Sequence, residues 1–169
     1  MLTVGIALAI FTYGNPAKTA ASGISGTKVA ITFEGLVGQH EFSDIPAGYD
    51  DLDWSGAFEV IGKGLYKQNE GFQSVIHRKV AAANIVDPYQ GIISAESGTF
   101  SLKSGHFAAF GSDPVPVTFS AYRQGMLVGT KSVTLQPVDT ILQFDHTFAH
   151  VDRITIDGVI ALDNLHVSF

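Results

Sequence analysis

VPVTFSAYRQGMLVGTKSVTL, Val115 to Leu135, is the stretch that decides the fold class. Val115, Val117, Phe119 and Ala121 alternate with Pro116, Thr118, Ser120 and Tyr122. A period of two turns one set toward a core and the other toward water, as in a half-buried strand. Gln124-Gly125 supplies a turn, because glycine takes positive φ without a Cβ clash. Leu127 to Leu135 then returns as the second strand of a hairpin, with Gly129 suited to a bulge.

Outward from this hairpin the same pattern repeats. Upstream, Val29-Ala30-Ile31-Thr32-Phe33 alternates, Trp54 opens a run ending near Val60-Ile61, and Ile92 to Ala95 and Thr99 to Leu102 follow. Downstream come Thr140 to Phe144, Ile154 to Ile156 and Val159 to Phe169. Loops are marked by Pro46, Gly48 and the acids after them, and by Gly62, Gly64, Asn69 and Gly71. His77 to Val86 is the one segment that admits a short helix. About eight or nine short strands, with turns every 8 to 12 residues or so, predict an all-β fold, a jelly-roll β-sandwich of two antiparallel sheets.

The 169 residues carry 16 Asp and Glu against 10 Lys and Arg, a formal charge of −6. Arg78, Arg123 and Arg153 are the only arginines, and no basic stripe forms. Nucleic acid needs such a footprint and is excluded as a partner. The absence of cysteine excludes a disulfide framework, a thiolate zinc site and a cysteine nucleophile. With 46 % apolar and 15 % charged residues, the chain is too apolar for disorder and can bury a core without staples. Leu2 to Phe11 is uncharged and shorter than the roughly 20 residues that span a bilayer. It precedes a Tyr13-Gly14-Asn15-Pro16 breaker and small residues around Ala20-Ala21. That order matches a secretion signal, although no Lys or Arg precedes the run; the alternative is a buried first strand or helix. The expected organisation is a signal peptide over 1–21, a flexible linker over 22–27 and one domain over 28–169, in a secreted, extracellular protein.

Four residues are the expected ligand contacts. Asp50, Asp51 and Asp53 can meet sugar hydroxyls or calcium, against the plainer reading of a solvated acidic loop. Trp54 follows them. Its rigid ring suits the C–H face of a pyranose if exposed, and suits the core if not. Asp145-His146-x-x-x-His150-x-Asp152 has the composition of a metal cluster, but in an extended chain its imidazoles stand about 13 Å apart, so a polar turn is expected. No HExxH, GxSxG or GxGxxG occurs, and no strand carries two acids at i and i+2. His77, His106 and His166 have no sequence-local acid to orient them. No catalytic residue is expected. In the last strand, regular alternation places Ala161, Asp163, Leu165, Val167 and Phe169 on one apolar face, which aims Asp163 into the core. A buried carboxylate is costly unless amides, an arginine or a metal compensate it.

Three segments occur in a telling order. They are Ile31-Thr32-Phe33-Glu34-Gly35-Leu36, Ile45-Pro46-Ala47-Gly48-Tyr49-Asp50-Asp51-Leu52-Asp53-Trp54-Ser55, and Ile160-Ala161-Leu162-Asp163-Asn164-Leu165-His166-Val167. This order resembles a family of secreted bacterial and fungal domains, many of whose bacterial members carry a PEP-CTERM sorting tail. The match runs from about Thr27 to Phe169. More loosely, it is similar to the galactose-binding-like jelly rolls of carbohydrate-binding modules. The resemblance implies a secreted sandwich and no particular reaction. No Pro-Glu-Pro tail follows the last strand, so free secretion is expected. Related carbohydrate-binding jelly rolls hold a structural calcium between first and last strands. The resemblance gives Glu34 and Asp163 that role, with further oxygens completing the shell. The expected function is a non-catalytic binding module for a polysaccharide, a surface glycan or an extracellular matrix component. The alternatives are a polysaccharide hydrolase or lyase using Asp50 to Asp53 with His77 or His106, and a structural or interaction protein without a glycan ligand.

Overall fold

The computed structural model describes residues 27–55 and 57–169. The expected signal segment, and all but the last residue of the expected linker, lie outside these residues. The strands are β1 (Lys28–Ile31), β2 (Phe42–Asp44), β3 (Leu52–Trp54), β4 (Phe58–Gly62), β5 (Val80–Asn84), β6 (Gln90–Ala95) and β7 (Ser101–Ala109). They continue with β8 (Val115–Arg123), β9 (Met126–Leu135), β10 (Thr140–Gln143), β11 (Arg153–Asp157) and β12 (Ile160–Ser168), and one helix, α1 (Glu70–Val75), precedes β5. Two antiparallel sheets result. One runs β10-β7-β12-β5-β4-β2 with β1 also paired to β12, and the other runs β3-β6-β11-β8-β9. The chain is an all-β sandwich, as expected.

Phenylalanines fill the space between the sheets. Phe107 meets Phe119 at 5.3 Å between ring centroids, Phe119 meets Phe144 at 5.2 Å, and Phe144 meets Phe148 at 4.9 Å. The offset and edge contacts that aromatic rings favour are met by one ring after another. The hairpin pairs Val115 with Leu135 at one end and Arg123 with Met126 at the other. Gln124 and Gly125 both have positive φ, the backbone of a type I′ turn. The bulge falls at Val128, beside Gly129, where a Cβ would collide with the Thr147 side chain.

Three local expectations change. The run from Trp54 to Ile61 is not one strand: β3 belongs to the five-stranded sheet and β4 to the other. His77 to Val86 is not a helix; its centre is β5, buried at all five positions between β4 and β12. Its alanines are small because the strand is covered on both faces, and that covering erases the alternation. The helix instead begins at Glu70, at the end of the Gly62–Gly71 region read as loop, and runs on to Val75. Asn69 caps it, its side chain accepting from the Phe72 amide at 2.9 Å and from the Gly111 amide at 2.9 Å. Six residues are too few to display a helical period.

Helix α1 covers the outer face of the larger sheet. Phe72, Val75 and Ile76 pack there with Ile61, Ala81, Ala83, Ala108 and Ala161. Gly71 sits against the Ala109 carbonyl oxygen, where no Cβ fits. Among the described residues, no helix covers the outer face of the five-stranded sheet, and none is long and apolar enough to cross a membrane.

Candidate functional site

Strand β12 does not alternate regularly. Asp163 pairs with His106 of β7, but the next pair is His166 with Ser104, so two residues of β12 oppose one of β7. Asn164 takes up the extra step with φ 48°, a left-handed conformation that asparagine tolerates better than most residues. Each side chain beyond it changes face. Leu162, Leu165 and Val167 point between the sheets, whereas Ala161 lies under α1. Asp163 shares the Ala161 side. It is 2 % exposed, yet it lies on the outer face beneath the exit of α1 and not in the inter-sheet core. The expected direction of Asp163 is therefore corrected, and its burial stands.

Glu34 reaches the same segment of chain that Asp163 holds. The chain leaves β1 through Phe33, whose positive φ of 58° seats its buried ring against Tyr49 and Trp54. Glu34 follows, and its Oε1 accepts from the Lys79 amide at 2.9 Å and the Val80 amide at 3.4 Å. Asp163 Oδ1 accepts from the Asn164 amide at 2.8 Å, and its Oδ2 from the His77 amide at 3.4 Å. Both carboxylates thus clamp the segment joining α1 to β5. Burial pushes the Asp163 carboxyl up to about 7; the Asn164 and His77 amides hold it down, Glu34 adds repulsion, and His106 offsets part of that. Buried Asp163 and part-exposed Glu34 are the two carboxylates here that a hard cation could take.

The acidic loop lies beside this centre. Asp50 and Asp51 occupy a tight turn with φ of 51° and 61°. Burial raises the Asp50 carboxyl, helped by Asp51, and burial raises the Tyr49 phenol, helped by Asp50 and Glu34. The Trp54 ring is half-buried and edge-on to Phe33 at 5.3 Å and to Phe58 at 5.5 Å. Its indole N–H donates to the Tyr49 carbonyl at 3.4 Å. The ring closes one edge of the core and does not stand open as a platform. Asp53 does face outward, and its Oδ1 accepts from the Gly48 amide at 3.1 Å.

From Asp53 a row that is polar on four of the five strands crosses the smaller sheet and ends on exposed Leu127. Asp53 pairs with Ser94, Ser94 with Arg153, Arg153 with Tyr122, and Tyr122 with Leu127. The Arg153 guanidinium lies 4.3 Å from the Tyr122 ring centroid. Its buried Nε has no hydrogen-bond partner among the described residues. The rows beside it carry Ile92, Thr155, Ser120 and Thr130, then Gln90, Asp157, Thr118 and Ser132. Of this face, sequence reading singled out only Asp53. The alternation of β8 marked Tyr122 as outward, but only strand order brings Arg153 beside it.

A third group was not foreseen. His77, just beyond α1, meets His106 of β7 with Nε2 and Nδ1 3.0 Å apart. Asp139, preceding β10, places Oδ2 2.9 Å from His106 Nδ1 and 3.3 Å from His77 Nε2. His146 and His150 are absent from this group; His146 opens a short 3-10 turn, His146–Phe148, and His150 follows it, both exposed, as the polar-turn reading expects.

No protein-family model matches the chain, and no curated protein matches it. Among solved structures, it is similar to a carbohydrate-binding module of family 29, with 19 % identity, 86 % of this chain and 90 % of that chain covered, and a TM-score of 0.36. A family 29 module complexed with mannohexaose matches at 19 % identity over 86 % and 93 % of the two chains, with a TM-score of 0.34. One complexed with cellulohexaose matches at 19 % identity over the same shares, with a TM-score of 0.33. At this level the likeness is one of general outline.

Proposed function

We propose that the chain is a secreted, non-catalytic module that binds a polysaccharide or surface glycan across the outer face of its five-stranded sheet. A calcium ion at Glu34 and Asp163 would brace the neighbouring edge. The observation that carries the reading is the difference between the two outer faces. Beneath α1 one is apolar, whereas the other carries hydroxyls, the Gln90 amide, two carboxylates and the Arg153–Tyr122 pair across most of its width. A sugar presents hydroxyls that both donate and accept, on a ring with apolar C–H faces. Asp53, Asp157, Gln90 and Arg153 offer complementary donors and acceptors, and Tyr122 offers ring surface. The Arg153 guanidinium, held over the Tyr122 ring, offers N–H donors to a ligand oxygen.

Affinity electrophoresis against mannans, glucans, xylans and galactans tests this. The wild-type chain should be retarded by at least one polymer. Tyr122→Ala and Arg153→Ala should each weaken that retardation about tenfold or more, as anchors do. Phe42→Ala, on β2 of the other sheet, should not. No retardation by any polymer, or retardation that survives both substitutions, overturns the proposal.

A further inference from the structure

We propose that His77, His106 and Asp139 bind a divalent first-row transition ion of the zinc class on the outer face of the larger sheet. The site is separate from the glycan face and chemically distinct from the oxygen-only pair Glu34 and Asp163.

The first argument is proton arithmetic. His77 Nε2, His106 Nδ1 and Asp139 Oδ2 form a triangle with edges of 3.0, 2.9 and 3.3 Å. A carboxylate oxygen only accepts, so satisfying both edges to Asp139 requires a proton on each ring nitrogen. The two nitrogens then face each other as two donors. Removing either proton leaves a lone pair against the carboxylate. No tautomer satisfies all three edges. One cation receiving a lone pair from each corner does, and it does so without moving the frame.

The second argument is size. Metal–ligand bonds of about 2.0 to 2.1 Å give ligand–ligand edges of about 3.3 Å in a tetrahedron and about 2.9 Å on one face of an octahedron. The observed edges lie in that interval. Two imidazoles and one carboxylate favour zinc, iron, nickel or copper over calcium or magnesium. Three protein ligands leave at least one position for water, as in metal sites that perform chemistry.

The third argument is support. The three groups come from three elements: the exit of α1, β7, and the entry to β10 beside it. The His77 amide is held by Asp163, itself paired with His106 across the strands. Preorganisation of this kind keeps ligands in place before a metal arrives.

The test uses the untagged chain, stripped with chelator and dialysed. Isothermal titration with Zn²⁺ should give one equivalent bound, and Co²⁺ should develop visible d–d absorption that Zn²⁺ abolishes. Binding should persist in millimolar calcium. His77→Ala and His106→Ala should each weaken it by about 100-fold or more, beyond the loss typical of a supporting residue, while His150→Ala leaves it unchanged. His106→Gln, with far-ultraviolet circular dichroism on every variant, guards against loss through misfolding. Failure of the wild type to bind Zn²⁺ stoichiometrically, or undiminished binding in folded His77 and His106 variants, overturns the proposal. Neither result bears on polysaccharide retardation, which is read separately.

Discussion

Replacing Asp163 by Asn should stabilise the chain at pH 8 in chelator, and calcium should cancel most of that advantage. The buried carboxyl is pushed from its ordinary value of 3.8 up to about 7, chiefly by burial. At about 1.4 kcal/mol for each pH unit, that corresponds to about 4 kcal/mol of cost when the group is ionised. The sign follows from proton linkage. The folded chain holds this proton more tightly than the unfolded chain, so the cost is absent below about pH 4, grows as pH rises, and is complete above about pH 7. Asparagine removes the charge. Its oxygen can keep the short bond from the Asn164 amide, and the longer one from the His77 amide is lost, at about 1 kcal/mol. The variant should therefore be the less stable by about 1 kcal/mol near pH 4 and the more stable by about 3 kcal/mol at pH 8. The latter amounts to about 6 to 12 °C in melting temperature. Calcium at a hundredfold excess over its dissociation constant should add about 2.7 kcal/mol to the wild type and little to the variant. Differential scanning calorimetry at several pH values, with chelator or calcium, reads every arm. A variant no more stable than the wild type at pH 8 in chelator would refute the reasoning about burial. Equal responses of both proteins to calcium would remove Asp163 as a calcium ligand.

Substitutions at two further positions test the frame around this acid. Gly71→Ala drives a methyl group into the Ala109 carbonyl oxygen, a backbone atom with no freedom to retreat. It should cost about 2 to 3 kcal/mol in urea denaturation as α1 lifts from the sheet, and an unchanged midpoint would mean the helix is not seated there. Asn164→Gly should leave stability within about 0.5 kcal/mol, whereas Asn164→Val should cost about 1 to 2 kcal/mol, because a β-branched residue resists positive φ. Equal stabilities of these two variants would argue against a left-handed bulge in β12.

What could be read before any coordinates depended on how local the cause was. The β8–β9 hairpin was legible because alternation and its turn are both encoded within a few residues. The burial of Asp163 was legible from its apolar neighbours, but its direction was not. Direction depends on one backbone angle at Asn164, and nothing in the residue types distinguishes a bulge there from continued pairing. Strand β5 was misread because burial on both faces removes the periodicity on which recognition relies. The group of His77, His106 and Asp139 was invisible for a different reason. Its members are brought together by the pairing of β7 with β10 and by the seat of α1, each settled by contacts between segments remote in sequence.

These departures are not scattered. The left-handed Phe33 sets Glu34, the left-handed Asn164 turns Asp163 outward, and the period-free segment around β5 begins just after His77. All three surround one patch of the larger sheet, where an acid is kept from water at a cost. A sequence selected for stability alone would place an apolar side chain at position 163 and a regular pair at 164. The proposed cation would add to the compensation that the Asn164 and His77 amides already supply. The phenylalanine-filled interior follows its pattern almost without exception, so the search for chemistry in this protein belongs on the two outer faces.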